Sequence, residues 1–186
     1  GLGPERGFAY EAGIRSPFLA RFPRLIKAGT KKKELVICQD IAPTLIELAG
    51  GKPGAQIQGR SLLPLFRGGR RAPWRKSFLI EYWAEQAMPW LVGMTYKAVR
   101  TDRYKLIEYY SEGDYWELFD LKEDPNELKN LYGTPASAQI TAGLKQELSR
   151  LRAITIATAD EEGTLDYRIG TMIELPRACV RADEVA

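Results

Sequence analysis

Apolar positions along the chain follow two regimes. Up to about residue 75 they come as short knots broken by glycine and proline: Phe18-Leu19-Ala20, Leu35-Val36-Ile37-Cys38 and Leu62-Leu63-Pro64-Leu65-Phe66. Pro17–Phe22 reads as a buried strand ended by Pro23, and Leu35–Cys38 as a second short strand. One helix is periodic here. Ile41, Leu45 and Leu48 recur at helical spacing, with Asp40 as N-cap, Pro43 in the first turn and Gly50-Gly51 as the stop. Residues 52–76 read as a long surface connection, with a boundary near 75. Beyond it the period shortens to two. Phe78–Trp83, Met94–Arg100, Tyr104–Tyr110 and Trp116–Asp120 read as four strands, with Thr101-Asp102-Arg103 as a hairpin turn. Asp124, Pro125 and Glu127 form a helix-start signal that predicts a short helix over 125–131. Ile140, Leu144, Leu148 and Leu151 form a stripe that predicts a helix over 135–153, long enough to cover one face of the sheet. The pattern is that of an α/β (α+β) chain with a small antiparallel sheet of four strands packed by a C-terminal helix. Residues 156–186 read as a weakly patterned tail, extended or partly disordered.

Composition narrows the chemistry. The chain has 186 residues, 45% of them hydrophobic, enough for one core of ordinary size. Its formal net charge is only +3, and its longest basic run is Lys31-Lys32-Lys33, which reads as a solvated turn; no nucleic-acid partner is expected. No apolar run reaches the ~20 residues that span a bilayer, so no membrane partner is expected either. There is no histidine, which excludes a Ser-His-Asp triad and an imidazole base within these residues. Cys38 and Cys179 fit no metal-ligand spacing, and Cys38, in an apolar stretch, reads as a buried thiol. The start Gly1-Leu2-Gly3-Pro4 does not read as a natural N-terminus or a signal peptide.

The densest chemistry lies in Arg6–Pro17, with two basic residues, an acid, a tyrosine and two glycines ahead of an apolar run. Glu11 and Arg15 read as a pair that fixes the turn into the strand behind them. The many aromatics, Tyr82, Tyr96, Tyr104, Tyr109, Tyr110, Tyr115 and Trp116 among them, read as cross-strand packing rather than as a sugar platform. Trp83 and Trp90, beside the 84–93 loop, are the pair left open for a glycan.

The order of the pieces carries a resemblance. Tyr10-Glu11-Ala12-Gly13-Ile14-Arg15-Ser16-Pro17, Arg21-Phe22-Pro23, Ile26-Lys27-Ala28-Gly29-Thr30, Asp40-Ile41-Ala42-Pro43-Thr44-Leu45, Gly59-Arg60-Ser61-Leu62-Leu63-Pro64-Leu65, Val99-Arg100-Thr101-Asp102-Arg103-Tyr104-Lys105 and Glu117-Leu118-Phe119-Asp120-Leu121-Lys122-Glu123-Asp124-Pro125 occur in that succession. Together they resemble the C-terminal portion of the sulfatases of the alkaline phosphatase superfamily, over about residues 1–150. The resemblance implies that residues 1–75 are the end of the sulfatase-like α/β domain and residues 76–155 its C-terminal antiparallel-sheet subdomain. It implies hydrolysis of a sulfuric ester on a carbohydrate or other small organic sulfate, with a periplasmic or secreted location. In the family a cysteine in a C-x-P-x-R context becomes a formylglycine nucleophile, and aspartates with a D-[HN]-G motif hold a divalent metal, usually calcium. Neither motif occurs here, so this chain alone is expected to be inactive, with no catalytic and no metal-binding residue of its own. Arg6 stands where the family places a sulfate-contacting lysine. An arginine keeps the charge and can grip an oxyanion with two donors, but its pKa is too high for a proton donor. Tyr10 and Arg100 are the other candidate substrate contacts. Two readings stay open beside this one: a phosphodiester or phosphonate monoester hydrolase fragment, and a non-catalytic accessory or glycan-binding module. Partners would be a sulfated small molecule or glycan, and a strand without neighbours would favour self-association.

Overall fold

The computed structural model of the protein describes residues 8–67, 73–82, 95–110 and 115–161, with side chains as far as 157. The chain divides into two compact units, one made of Gly1–Ser16 with Phe78–Ala186 and the other of Pro17–Ser77.

The first unit is built on a four-stranded antiparallel sheet, and it opens with a single helical turn, α1 (Glu11–Ile14). The strands are β1 (Ser77–Tyr82), β2 (Tyr96–Thr101), β3 (Tyr104–Tyr109) and β4 (Tyr115–Asp120), and they lie side by side in chain order. Val99 pairs with Leu106 and Arg100 with Lys105 across the β2–β3 hairpin; Leu106 pairs with Leu118 and Ile107 with Glu117 across β3–β4. The turn at Asp102-Arg103 is tied by Arg103, whose guanidinium grips Asp120 at 2.7–3.1 Å.

Alternation sorts the strand residues onto two faces. On one face Val99, Leu106 and Leu118 meet Leu144 and Leu148 of the long helix, which runs Ala138–Glu161 after a 3-10 turn over Pro135–Ser137. Arg152 of this helix also bonds the buried carboxylate of Glu81 at 2.7 Å. On the other face Ile80, Tyr96, Ala98, Ile107 and Phe119 are covered by Ala9, Tyr10 and Ile14 from the start of the chain. The sheet is thus buried on both sides. The four strands and the long helix agree with the sequence reading, and the helix runs on past 153.

The second unit has less regular structure. Its helices are α2 (Ile41–Leu48) and α3 (Leu63–Arg67), with a 3-10 turn over Cys38–Asp40; the long helix of the first unit is α4. Pro43, Thr44, Leu62, Leu63 and Leu65 are buried. Gly59 is where two stretches of backbone pass closely, since a side chain there would overlap the Gln39 carbonyl oxygen.

Several local readings are corrected. Pro17–Phe22 and Leu35–Cys38 are not strands, and Phe18 and Leu19 are 50% and 95% exposed. Among the described residues no strand lies beside either segment, and an unpaired strand leaves its backbone groups without ladder partners. Cys38 is exposed rather than buried, because it opens the 3-10 turn instead of closing a strand. The α2 stripe is turned round: Ile41, Leu45 and Leu48 are exposed while Pro43 and Thr44 are buried. Asp40 precedes α2 but makes no side-chain cap bond, because its carboxylate is held by Arg75, Arg60 and Ile37. Residues 125–131 hold a turn at Pro125-Asn126 followed by irregular backbone rather than a helix.

Candidate functional site

On the sheet face covered by residues 9–14, three strand positions that would normally be apolar carry charge: Arg100 on β2, Lys105 on β3 and Glu117 on β4. Lys105 is fully buried. Its ammonium donates to the Ala9 carbonyl at 2.6 Å and pairs with Glu127 at 2.5 Å and Glu11 at 3.2 Å. Arg100 adds two contacts of 3.2 Å to the Glu11 carboxylate through Nε and Nη2. The Glu127 carboxylate in turn accepts the Glu11 backbone N–H at 2.6 Å. Two cations and two carboxylates therefore close a neutral cluster that joins residues 9–11, the β2–β3 hairpin and the loop after β4. Burial alone would raise the Glu11 carboxyl, but the Arg100 hydrogen bonds and the charge of Lys105 outweigh it and hold it below its ordinary range. Glu127 takes a backbone φ of 56°, in the left-handed region that a residue with a side chain rarely adopts. The two bonds made by its carboxylate are what hold it there.

Beside this cluster lies a second one. The Glu117 carboxylate accepts hydroxyl bonds from Tyr10 at 3.1 Å to both oxygens, from Tyr109 at 3.0 Å and from Tyr115 at 3.2 Å. Burial, and then the charge of Glu117, pushes the Tyr10 phenol up to about 12, and the same two causes push Tyr109 further up. A phenol raised in the folded state favours folding below its unfolded value of about 10, and the benefit is lost as pH rises through about 12. Ultraviolet titration of the folded chain should therefore show these phenols ionising well above free tyrosine. Glu117→Gln should lower the Tyr10 value only partly, since burial remains. Phenols that all titrate together near 10 would contradict the arrangement.

Of the expected substrate contacts, Arg6 lies outside the described residues, as do Trp83 and Trp90. Tyr10 and Arg100 fall on the same sheet face but serve the neighbouring clusters, Tyr10 bound to Glu117 and Arg100 to Glu11. Glu11 pairs with Arg100 and Lys105 rather than with Arg15, because the α1 turn carries its carboxylate inward to the sheet. Lys105, Glu117 and Glu127 are not among the site residues the sequence singles out. The signal was a charge in phase with buried strand positions, Lys105 with Ile107 and Glu117 with Phe119. The aromatics pack as cross-strand and inter-element pairs, such as Tyr82 on Tyr96 at 5.6 Å and Trp116 on Tyr132 at 5.8 Å.

Comparison with known proteins gives a consistent set of matches. The family described as N-sulphoglucosamine sulphohydrolase, C-terminal, matches residues 5–154. An N-acetylglucosamine-6-O-sulfatase of Bacteroides thetaiotaomicron is 34% identical over 149 residues, which cover 77% of this chain and 26% of that protein. A solved structure of a complex with its substrate D-glucosamine-2-N,6-O-disulfate superposes with a TM-score of 0.66 at 34% identity, over 72% of this chain and 27% of that one. A phosphonate monoester hydrolase of Agrobacterium radiobacter gives a TM-score of 0.51 at 28% identity, over 61% of this chain and 24% of that one. The chain thus spans about a quarter of the length of the relatives it matches.

Proposed function

The chain belongs to the N-sulphoglucosamine sulphohydrolase C-terminal family, and from that premise we propose that it serves the hydrolysis of a sulfuric ester on an amino sugar. Its part is to hold one wall of the active site. The observation that carries this reading is the buried charge cluster on Ala9–Glu11. Three ion pairs among four charged side chains under a small sheet are an expensive way to cover an apolar face. What they achieve is a backbone fixed at Ala9 and Glu11, just after Arg6 in the chain. Arg6 is the sulfate contact in this proposal, acting as an electrostatic partner of the transferred group and not as an acid. Tyr10 and Arg100 bound the same wall, each held by its carboxylate.

The nucleophile and the divalent metal of the family do not fit the described residues. Among them no three carboxylate or thiol groups gather into a metal site. The buried carboxylates and the half-buried Glu11 are already committed: Glu11 and Glu127 to Lys105, Asp40 to Arg75, Glu81 to Arg152, Asp120 to Arg103, and Glu117 to phenol hydroxyls.

The test is an assay of the natural gene product that contains these residues, on glucosamine 6-sulfate and on a phenylphosphonate monoester. Faster turnover of the sulfate supports the proposal. Faster turnover of the phosphonate favours the second reading, to which the Agrobacterium radiobacter likeness points. In that protein Arg6→Ala should lower kcat/KM at least about tenfold, or ~1.4 kcal/mol of transition-state stabilisation. An unchanged value would remove Arg6 from the site.

A further inference from the structure

The near-neutral total charge conceals a division that follows the two compact units. Pro17–Ser77 holds thirteen lysines and arginines against three acids, Glu34, Asp40 and Glu47, for a formal net charge of +10. Since the whole chain is +3, the remainder carries −7. Within the basic unit the charge is densest at Arg21, Arg24, Lys27, Lys31, Lys32 and Lys33, a run of thirteen residues with no acid. All six side chains are exposed. Two successive turns order its first ten residues, and Lys31–Lys33 follow directly on the second. Leu25 and Ile26 donate backbone bonds to Phe22, and Thr30 donates both its backbone N–H and its hydroxyl to Lys27. Six cations on a short folded stretch raise the local concentration of a polyanion, whereas a single small anion would engage only one or two of them.

We propose that Arg21–Lys33 is a binding strip for an extended sulfated polysaccharide, separate from the Ala9–Glu11 wall. The choice of a sulfated polysaccharide over another polyanion rests on the hydrolase reading above; the strip itself does not. Its role would be to retain a polymeric substrate between turnovers.

The test uses the full chain and needs no catalysis. Heparin binding is measured by calorimetry at low and moderate salt. Affinity should fall about tenfold or more between roughly 50 and 200 mM NaCl, as counterion release requires. Replacing Arg21, Arg24, Lys31, Lys32 and Lys33 together by glutamine should weaken binding about tenfold or more at the lower salt. Lys122→Gln with Lys129→Gln, exposed positions in the acidic unit, should change nothing. Three results would overturn the proposal: equal binding by the five-residue variant, equal binding of desulfated heparin, or tighter binding of duplex DNA of matched length. Because these readouts are independent of turnover, loss of the strip would leave the sulfuric ester reading standing. Retained binding with no sulfatase activity would separate the two the other way.

Discussion

Replacing Lys105 with methionine should destabilise the sheet unit by about 3–5 kcal/mol, the usual cost of removing one partner from a buried ion pair. Methionine fills a similar volume, so the loss is electrostatic rather than a cavity. The substitution leaves Glu127, whose side chain is 2% exposed, without its cation, and strips one of two cations from Glu11. It also frees the Ala9 carbonyl, which Lys105 bonds at 2.6 Å. Denaturant unfolding gives the size of the effect, and adding Glu11→Gln and Glu127→Gln should recover part of it, since neutral amides need no cation. Acid should act in the same direction on the natural chain. Glu11 is held below its ordinary range when folded, so its contribution is present above the unfolded value and is lost as pH falls through the lower, folded one. The acid-side slope should therefore be shallower in the triple variant. A methionine variant as stable as the natural chain would show that the cluster does not hold the N-terminal segment.

The sheet was legible in the sequence because its strands are sequential neighbours and its helix has one apolar stripe. Periods of two and 3.6 report burial directly when the covering layer lies in the same unit. The knots at Phe18-Leu19 and Leu35–Cys38 misled for the same reason, since apolar content alone cannot supply the neighbouring strand that makes a strand. The site was legible only in part. Tyr10, Glu11 and Arg100 stand out one at a time, but a pairwise reading puts Glu11 with Arg15, the nearest cation in sequence. The true partners, Arg100 and Lys105, lie far along the chain, at strand positions whose alternation puts them in phase with buried residues. Glu127 was hidden behind a helix-start signal that Asp124 and Pro125 fulfil. The left-handed backbone at Glu127, which ends any helix there, is set by tertiary bonds to Lys105 and Glu11 that no local pattern encodes.

Asp40→Ala should act on the other unit. Asp40 is fully buried, and its carboxylate gathers two N–H bonds from Arg75, one from the Arg60 backbone at 2.8 Å and one from the Ile37 backbone at 3.0 Å. Its own carbonyl accepts the Thr44 hydroxyl, which in turn accepts the Leu62 N–H at 2.8 Å. The side chain thus fastens the 3-10 turn, the Gly59-Arg60 crossing and the segment at Arg75, and the backbone carbonyl of the same residue ties in α2. Among the described residues of the Pro17–Ser77 unit few large apolar ones are buried to compensate, chiefly Leu62, Leu63 and Leu65. The alanine variant strands the Arg75 guanidinium, 8% exposed, and should cost this unit about 3–5 kcal/mol. Hydrogen exchange reads the effect locally: the amides of Ile37, Arg60 and Leu62 should lose protection while those of β2 and β3 keep theirs. Arg75→Met should be about as harmful, because it leaves the carboxylate buried without a cation, and Asp40→Asn added to it should restore part of the loss. If the sheet amides lost protection together with those of Pro17–Ser77, the two units would unfold as one, and Asp40 would be a determinant of the whole chain rather than of its basic half.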